Sequence, residues 1–435
     1  IEKLRYTKTM KNLVLKPIKE INGSLTLPGS KSLSNRALLL AAIANGTTVL
    51  ENILLGEDTT VMIRALRQLG IRIDEDGKDL SYKVYGIGKK FEVPSNRKFS
   101  LGNAGTAIRP LAAMLALVPS EFTVDGDKYM RERPISHLGD ALESLGAKVS
   151  YLINEGYPPM RIVGGNIKGG NVSVQGSISS QYLSSLLMAL PMAKNSSSVT
   201  VSEELVSKPY IDITLSLMRT FGVEILNESY QRFSIPGSQK YSSPERYLIE
   251  GDASSASYFF GAAAIKKGSV KVHGLGANSV QGDYKFLEVI EKMGAKVRRG
   301  EYWTEVAGSN LKGIDLDLNH IPDAAMTIAT MALFAEGPTK IRNIGNWRVK
   351  ETDRMHAMTE GLLALGAKVL SSEDSIFIDP PKSLNDAMIK TYGDHRVAMS
   401  FSLAALGNAT VTIEDPDCTR KTFPGYFKAL ALLSK

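Results

Sequence analysis

The sequence predicts an α/β protein of two domains, each built from three copies of one small unit. Three observations lead there. The chain has 435 residues, more than one hydrophobic core usually serves, so two domains are the starting expectation. An apolar helix end, then Gly, then a short strand recurs five times. It reads Leu66-Arg-Gln-Leu-Gly-Ile-Arg-Ile, Leu142-Glu-Ser-Leu-Gly-Ala-Lys-Val, Met218-Arg-Thr-Phe-Gly-Val-Glu-Ile, Ile290-Glu-Lys-Met-Gly-Ala-Lys-Val and Leu362-Leu-Ala-Leu-Gly-Ala-Lys-Val. The glycines, Gly70, Gly146, Gly222, Gly294 and Gly366, stand 76, 76, 72 and 72 residues apart. Each block also opens on an earlier apolar helix and a β-branched strand, as in Arg36 to Asn45 and Thr47 to Leu50.

Gly after the last helical residue supplies the left-handed conformation that stops a helix. Alternation of apolar and polar residues then starts a strand. A sixth helix, Tyr426 to Leu433, ends the last copy. By repeat spacing alone a tandem division near residue 240 is possible, with Gln239-Lys-Tyr-Ser-Ser-Pro-Glu-Arg246 as the connection.

Composition excludes several classes. Hydrophobic residues make up 43% and charged residues 22%, an ordinary globular balance. The longest apolar runs, Ala37 to Ala44 and Leu111 to Val118, fall well short of the ~18 residues a membrane span needs. Ile1 to Thr9 is polar and basic without an apolar stretch, so it reads as an extension ahead of Met10 rather than a signal peptide. The single cysteine, Cys418, permits no disulfide within one chain, and a reducing, cytoplasmic setting is expected. A formal charge of +7 suggests acidic partners, but aromatics are only 7% and no basic run is interleaved with them, so nucleic acid is not expected.

The polar residues gather at helix starts. The first helix of each copy opens on Pro28-Gly-Ser-Lys-Ser-Leu-Ser-Asn-Arg36, Gly102-Asn-Ala-Gly-Thr-Ala-Ile-Arg109, Gly176-Ser-Ile-Ser-Ser-Gln181, Gly251-Asp-Ala-Ser-Ser-Ala, Ile321-Pro-Asp-Ala-Ala or Gly393-Asp-His-Arg396. Capping accounts for the Ser and Asp residues, Asp323 included. It does not account for Lys31, Arg36 and Arg396, because a cation at the positive end of a helix dipole is repelled unless an anion binds there. The second turn of several copies is charged as well: Met130-Arg-Glu-Arg-Pro134, Val206-Ser-Lys-Pro-Tyr210, Asn346-Trp-Arg-Val-Lys-Glu-Thr-Asp-Arg354 and Cys418-Thr-Arg-Lys-Thr-Phe-Pro424. No His, Cys and Asp spacing resembles a metal site, and neither metal nor cofactor is expected. Of the five histidines only His320 and His395 fall in such turns, and both read as structural.

These stretches closely resemble the EPSP synthase family in its bacterial form. The most specific are Leu101-Gly-Asn-Ala-Gly-Thr-Ala-Ile-Arg-Pro110 and Arg348-Val-Lys-Glu-Thr-Asp-Arg-Met355, joined by Leu27-Pro-Gly-Ser-Lys-Ser, Glu250-Gly-Asp-Ala-Ser-Ser-Ala-Ser and Asn319-His-Ile-Pro-Asp-Ala-Ala. The resemblance implies a two-domain inside-out α/β barrel with three βαβαββ repeats per domain. The chain would cross twice, giving one domain over 30–249, a second over 10–29 plus 250–435, and an extension over 1–9. It also implies enolpyruvyl transfer from phosphoenolpyruvate to the 5-hydroxyl of shikimate 3-phosphate, by addition and elimination, in chorismate and aromatic amino acid biosynthesis.

Carried over residue by residue, the resemblance gives shikimate 3-phosphate to Lys31, Ser32, Arg36, Ser179, Ser180, Gln181, Ser207, Asp323, Asn346 and Lys350. It gives phosphoenolpyruvate to Lys31, Gly105, Arg133, Gln181, Arg354, Arg396 and Lys421. Asp323 matches the proton acceptor and Glu351 the proton donor. Seven cations can balance two phosphates and two carboxylates without a metal, and Arg suits bidentate contact with both. A monomer is expected, with glyphosate competing in the phosphoenolpyruvate pocket, whose tight end is Gly105. The chain departs from the family at Lys128-Tyr129, where Pro-Arg is usual, and at Ile108, Gly345 and Val397. The sister activity on UDP-N-acetylglucosamine typically uses a loop cysteine, whereas Cys418 reads as a small filler. A non-catalytic anion-binding relative would lose Asp323 or Glu351, and both are present.

Overall fold

The computed structural model describes residues 11–77, 80–88 and 91–435. The expected extension over 1–9, and Met10, lie outside the described residues. The repeat marked by the glycines folds as strand, helix, strand, helix, strand, strand. In the second copy these are Lys98–Ser100, Gly105–Leu115, Glu121–Asp125, Ser136–Ser144, Lys148–Tyr151 and Met160–Val163. The first strand runs parallel to the second, the second pairs antiparallel with the fourth, and the third lies at the edge. The third copy, with strands Asn171–Gln175, Ser197–Ser202, Leu226–Glu228 and Arg232–Ile235, has the same order. So does the fifth, with Asp315–Asp317, Thr339–Arg342, Lys368–Ser371 and Ile376–Asp379.

The other three copies borrow a strand. Asn45–Glu51 takes Arg246–Leu248 as its parallel neighbour, and Ser269–His273 takes Asn22–Thr26. In the sixth copy Val411–Glu414 is parallel to Ala387–Ile389, and Asn12–Leu15 supplies the antiparallel partner. The chain accordingly forms two compact units. One comprises Pro28–Gly251 with Val280–Gly282; the other comprises the described part of Ile1–Leu27, with Asp252–Ser279 and Asp283–Lys435. They are called below the first and the second unit. The segment 239–246 is no connection between them. Its Tyr241 and Glu245 carbonyls accept from the amides of Asn45 and Val49 at 2.8 Å each, inside the first unit.

All five marker glycines have positive φ, between 78° and 112°, as a left-handed helix stop requires. The first helix of each copy is buried nearly all round, as a helix surrounded by other helices is. Lys31–Ile43 packs on Gly105–Leu115, which packs on Ser180–Ala189. In the second unit Ala253–Lys266 packs on Ala325–Met331, which packs on His395–Ser402. Each unit has its own hydrophobic core.

The expected helix 36–45 starts five residues earlier, at Lys31, and ends at Ile43, while the strand starts at Asn45 rather than Thr47. Lys31, Ser34 and Asn35 are polar for a buried helix. Tertiary partners satisfy the last two: Asn35 Nδ2 donates to Thr106 Oγ1 at 2.7 Å, and Ser34 Oγ accepts from the Leu54 amide at 3.1 Å. Among the described residues no helix is long and apolar enough to cross a membrane.

Candidate active site

In the first unit, helix starts bring cations inside. Lys31 is the first residue of its helix, 7% exposed, with Nζ 3.6 Å from Asp58 Oδ2. Ser32 follows, and its carbonyl accepts from Arg36 Nη1 at 3.0 Å. The other contacts of Arg36 are also neutral: Nε donates to Thr214 Oγ1 at 2.8 Å and Nη2 to Ser184 Oγ at 3.4 Å. No carboxylate among the described residues lies within ion-pair distance of it. Burial therefore pushes the guanidinium down to about 10. A buried cation with only neutral partners is a receptor for an anion.

A second cluster surrounds Gly105, the first residue of its helix. A Cβ at this position would stand 2.7 Å from Arg109 Nη1, 2.9 Å from Gln181 Oε1 and 3.0 Å from Arg133 Nη2. Gly105 thus leaves three side chains converging where any other residue would stand. Arg133 donates through Nη1 to Asn103 Oδ1 at 2.8 Å and to the Asn103 carbonyl at 3.2 Å. Its turn is held by Asp127, whose Oδ1 accepts from the amides of Tyr129 and Met130, so the Lys128-Tyr129 departure leaves the turn formed. Gln181 Oε1 accepts from Arg109 Nη1 at 2.9 Å, and Arg109 Nη2 also holds the Pro134 carbonyl.

Ser179 caps the helix Ser180–Ala189, accepting from the Gln181 amide at 3.2 Å. One turn on, that helix carries Ser184, so the Arg36 and Gly105 clusters grip the same helix. Ser180 and Ser207 are buried. Ser207 has φ 57°, a left-handed conformation that costs a non-glycine residue of order 1 kcal/mol. It precedes the helix Pro209–Thr220, which carries Thr214.

In the second unit the cations are locked to carboxylates. Arg354 is fully buried and donates to three of them: Nε to Asp394 Oδ2 at 2.8 Å, Nη1 to Asp323 Oδ1 at 2.7 Å and Nη2 to Glu351 Oε2 at 2.9 Å. Arg396 Nη2 lies 2.9 Å from Asp323 Oδ2, and Lys421 Nζ lies 3.8 Å from Glu351 Oε1. Burial resists the charge on Asp323, but Arg396, Arg354 and Lys350 outweigh it and hold that carboxyl well below its usual range. Burial likewise disfavours the Arg354 cation, and Asp394, Glu351 and Asp323 reverse that and raise it.

The expectation that Asp323 caps a helix is corrected. The helix is Ala325–Met331 with Ala324 at its cap, and both Asp323 oxygens face guanidinium groups instead. Asn346 is buried in the one-turn helix Gly345–Val349, beside Trp347. Trp347 Nε1 donates to the Pro322 carbonyl at 2.7 Å and pins the turn that carries Asp323. Cys418 is half-buried and packs on the core of this unit.

The structure thus gathers Lys31, Ser32, Arg36, Gly105, Arg133, Gln181 and the serines in the first unit. It gathers Asp323, Lys350, Glu351, Arg354, Arg396 and Lys421 in the second. Sequence reasoning missed Arg109, Asp394 and Trp347. All three stand inside quoted stretches, but only their tertiary partners show what they hold.

The family model for EPSP synthase (3-phosphoshikimate 1-carboxyvinyltransferase) matches residues 15–430. The chain belongs to the EPSP synthase family. It is 54% identical over 426 residues to the 3-phosphoshikimate 1-carboxyvinyltransferase of Vibrio vulnificus (strain YJ016), covering 98% of this chain and all of that one. It is 55% identical over 427 residues to the enzyme of the same name from Sulfurovum sp. (strain NBC37-1), with the same coverage. Among solved structures, EPSP synthase from Acinetobacter baumannii superposes with a TM-score of 0.80 at 28% identity, covering 97% of this chain and 98% of that one. The inside-out α/β architecture with three βαβαββ repeats per unit is that of the family.

Proposed function

We propose that the chain carries out its family's reaction with the residues gathered above. The activity is enolpyruvyl transfer: the 5-hydroxyl of shikimate 3-phosphate adds to phosphoenolpyruvate, and phosphate leaves to give 5-enolpyruvylshikimate 3-phosphate. The observation that carries the residue assignment is Asp323, a carboxylate kept ionised by two guanidinium groups in a water-poor setting. Such a group is in its proton-accepting form at neutral pH, but its guanidinium partners make it a weaker base than a free carboxylate, so it takes the proton only as the hydroxyl oxygen attacks.

In the addition step Glu351 acts in its protonated form, which the negative charge of the arriving substrates favours over the pairing with Arg354 and Lys421 seen in the free protein. It delivers that proton to the methylene carbon of phosphoenolpyruvate while Asp323 takes the 5-hydroxyl proton. The hydroxyl oxygen then bonds to C2, giving a tetrahedral intermediate. In the elimination step a methyl proton returns to the enzyme, the C2–O bond to phosphate breaks, and the double bond re-forms. Arg354 joins the two acids, with one nitrogen on each, so charge lost on one is felt by the other.

Shikimate 3-phosphate is bound by Lys31, Ser32, Arg36, Ser179, Ser180, Gln181, Ser207, Asn346 and Lys350 together with Asp323. Phosphoenolpyruvate is bound by Lys31, Gly105, Arg133, Gln181, Arg354, Arg396 and Lys421. Cations beside the departing phosphate stabilise its developing charge. The protein works as a monomer in the cytoplasm. The test is phosphate release measured with each substrate alone and with both: release that needs both supports the reading, and release from phosphoenolpyruvate alone sinks it.

A further inference from the structure

The second unit holds one buried acid that the mechanism above does not use. Asp283 lies in the single turn Gly282–Lys285 and is 6% exposed. Its Oδ2 accepts a hydrogen bond from Ser254 Oγ, in the first turn of the helix Ala253–Lys266. Its Oδ1 is buried, and among the described residues it has no hydrogen-bond partner and no Lys or Arg pairs with it. Asp323, by contrast, has two guanidinium partners. A carboxylate in the place of Asp283 would be a buried charge without a counter-ion, whereas a neutral carboxylic acid there is tolerable.

The charged groups around Asp283 come from three elements. Asp252 caps the helix that carries Ser254, and one turn after Ser254 the same helix carries Tyr258, whose hydroxyl accepts from Arg396 Nη1 at 3.4 Å. Arg396, from His395–Ser402, also pairs with Asp323 in the turn before Ala325–Met331, and both act electrostatically on Asp283. On its own turn, Tyr284 is engaged with Thr304.

We propose that Asp283 is a positioning residue for this reaction, a buried acid on Ser254, one helical turn from the Tyr258 hydroxyl that holds Arg396, whose charge tunes the hold of Arg396 on phosphoenolpyruvate. The inference rests on the assignment of Arg396 to phosphoenolpyruvate. Burial raises the proton affinity of Asp283 most, the charge on Asp323 adds to it, and Arg396 and the Ser254 hydroxyl oppose it, leaving the carboxyl at about 7. The change of charge therefore falls inside the working pH range. Below it, Asp283 adds no negative charge beside the Arg396 guanidinium that pairs with Asp323. Above it, a second carboxylate competes for the same guanidinium.

The experiment is the KM for phosphoenolpyruvate from pH 5.5 to 8.5 in wild type, Asp283→Asn, Ser254→Ala and Arg396→Gln, each with a melting curve. Reading variants as ratios to wild type removes the ionisation of the substrate's own phosphate, which titrates near pH ~6. Wild-type KM should rise about three- to tenfold through the Asp283 titration, the size of one added charge at partly screened range. Asp283→Asn should lack that inflection. Ser254→Ala should move it to higher pH, because the hydroxyl that favours the carboxylate is gone. An unmoved inflection in Asp283→Asn, or one that stays or moves to lower pH in Ser254→Ala, overturns the proposal. If Arg396→Gln raises KM while the other two variants behave as wild type, this inference alone fails. If Arg396→Gln leaves KM unchanged, the substrate assignment fails with it.

Discussion

Arg36 in the first unit and Arg354 in the second are both buried guanidinium groups, yet they are surrounded in opposite ways. Arg36 touches two hydroxyls and a carbonyl. Arg354 touches three carboxylates. The first arrangement leaves positive charge uncompensated, so it costs stability until an anion arrives. The second is balanced internally, so its cation already organises three acids in the free protein. The same repeat thus carries a buried cation among neutral partners in one unit and a buried cation among carboxylates in the other.

The largest effect that tests this division is on turnover. Asp323→Asn and Glu351→Gln should each lower kcat about 10²–10⁴-fold in the phosphate-release assay, the usual weight of general acid or base catalysis. Asp323→Asn should also lower Tm, because it removes the counter-charge of Arg354 and Arg396 together. Near-normal turnover in either variant would make that residue a counter-charge only.

A paired substitution sharpens the comparison on stability. Arg354→Met removes a cationic partner from three carboxylates at once and should cost about 3–5 kcal/mol in denaturant unfolding. Arg36→Met strands none and should change the free protein by less than about 1 kcal/mol, while weakening shikimate 3-phosphate about 30- to 1,000-fold in calorimetry. Equal stability losses would erase the distinction between the two sites.

Smaller effects should follow at Gly105. The atoms that a Cβ would crowd are the ends of the Arg109, Gln181 and Arg133 side chains, which can move. Gly105→Ala should barely change Tm, raise the KM for phosphoenolpyruvate about tenfold or less, and weaken glyphosate inhibition more than that. Equal losses for substrate and inhibitor would count against this pocket.

The smallest effect is on the pH dependence of stability. Asp283 binds its proton more tightly in the folded protein, at about 7, than in the unfolded chain, at about 3.9. Between these values the folded state holds more protons, so the contribution of Asp283 to stability falls as pH rises. The stability of Asp283→Asn relative to wild type should therefore increase from pH 5 to pH 8, by on the order of 1–3 kcal/mol. A constant difference across that range would show that Asp283 titrates as it does in the unfolded chain.

Much of the fold is legible in local sequence. A helix stop is a local dihedral event, so Gly70, Gly146, Gly222, Gly294 and Gly366 can be read directly, and each is left-handed. The last helix, Tyr426–Leu433, can also be read to the residue, although it ends on the extended Ser434 rather than on a left-handed glycine. The start of Lys31–Ile43 cannot, because its polar residues are satisfied by Thr106 and Leu54, far along the chain. The motif marks Asp323 as the proton acceptor, and its neighbours in sequence offer a cap as the alternative; its partners in space, Arg354 and Arg396, are not legible there.

By itself the sequence determined six copies of one unit, where most helices stop, which turns carry charge, and the family motifs that name the reaction. Only the tertiary structure decided that Arg246–Leu248, Asn22–Thr26 and Asn12–Leu15 complete sheets distant in sequence. It alone decided that Arg36 meets hydroxyls where Arg354 meets acids, and that Trp347 holds the turn of Asp323. The physical reason is one of range. Backbone conformation answers to residues a few positions away. Strand pairing and the balance of buried charge answer to whatever the fold places within a few ångströms, and nothing in local pattern encodes that neighbour.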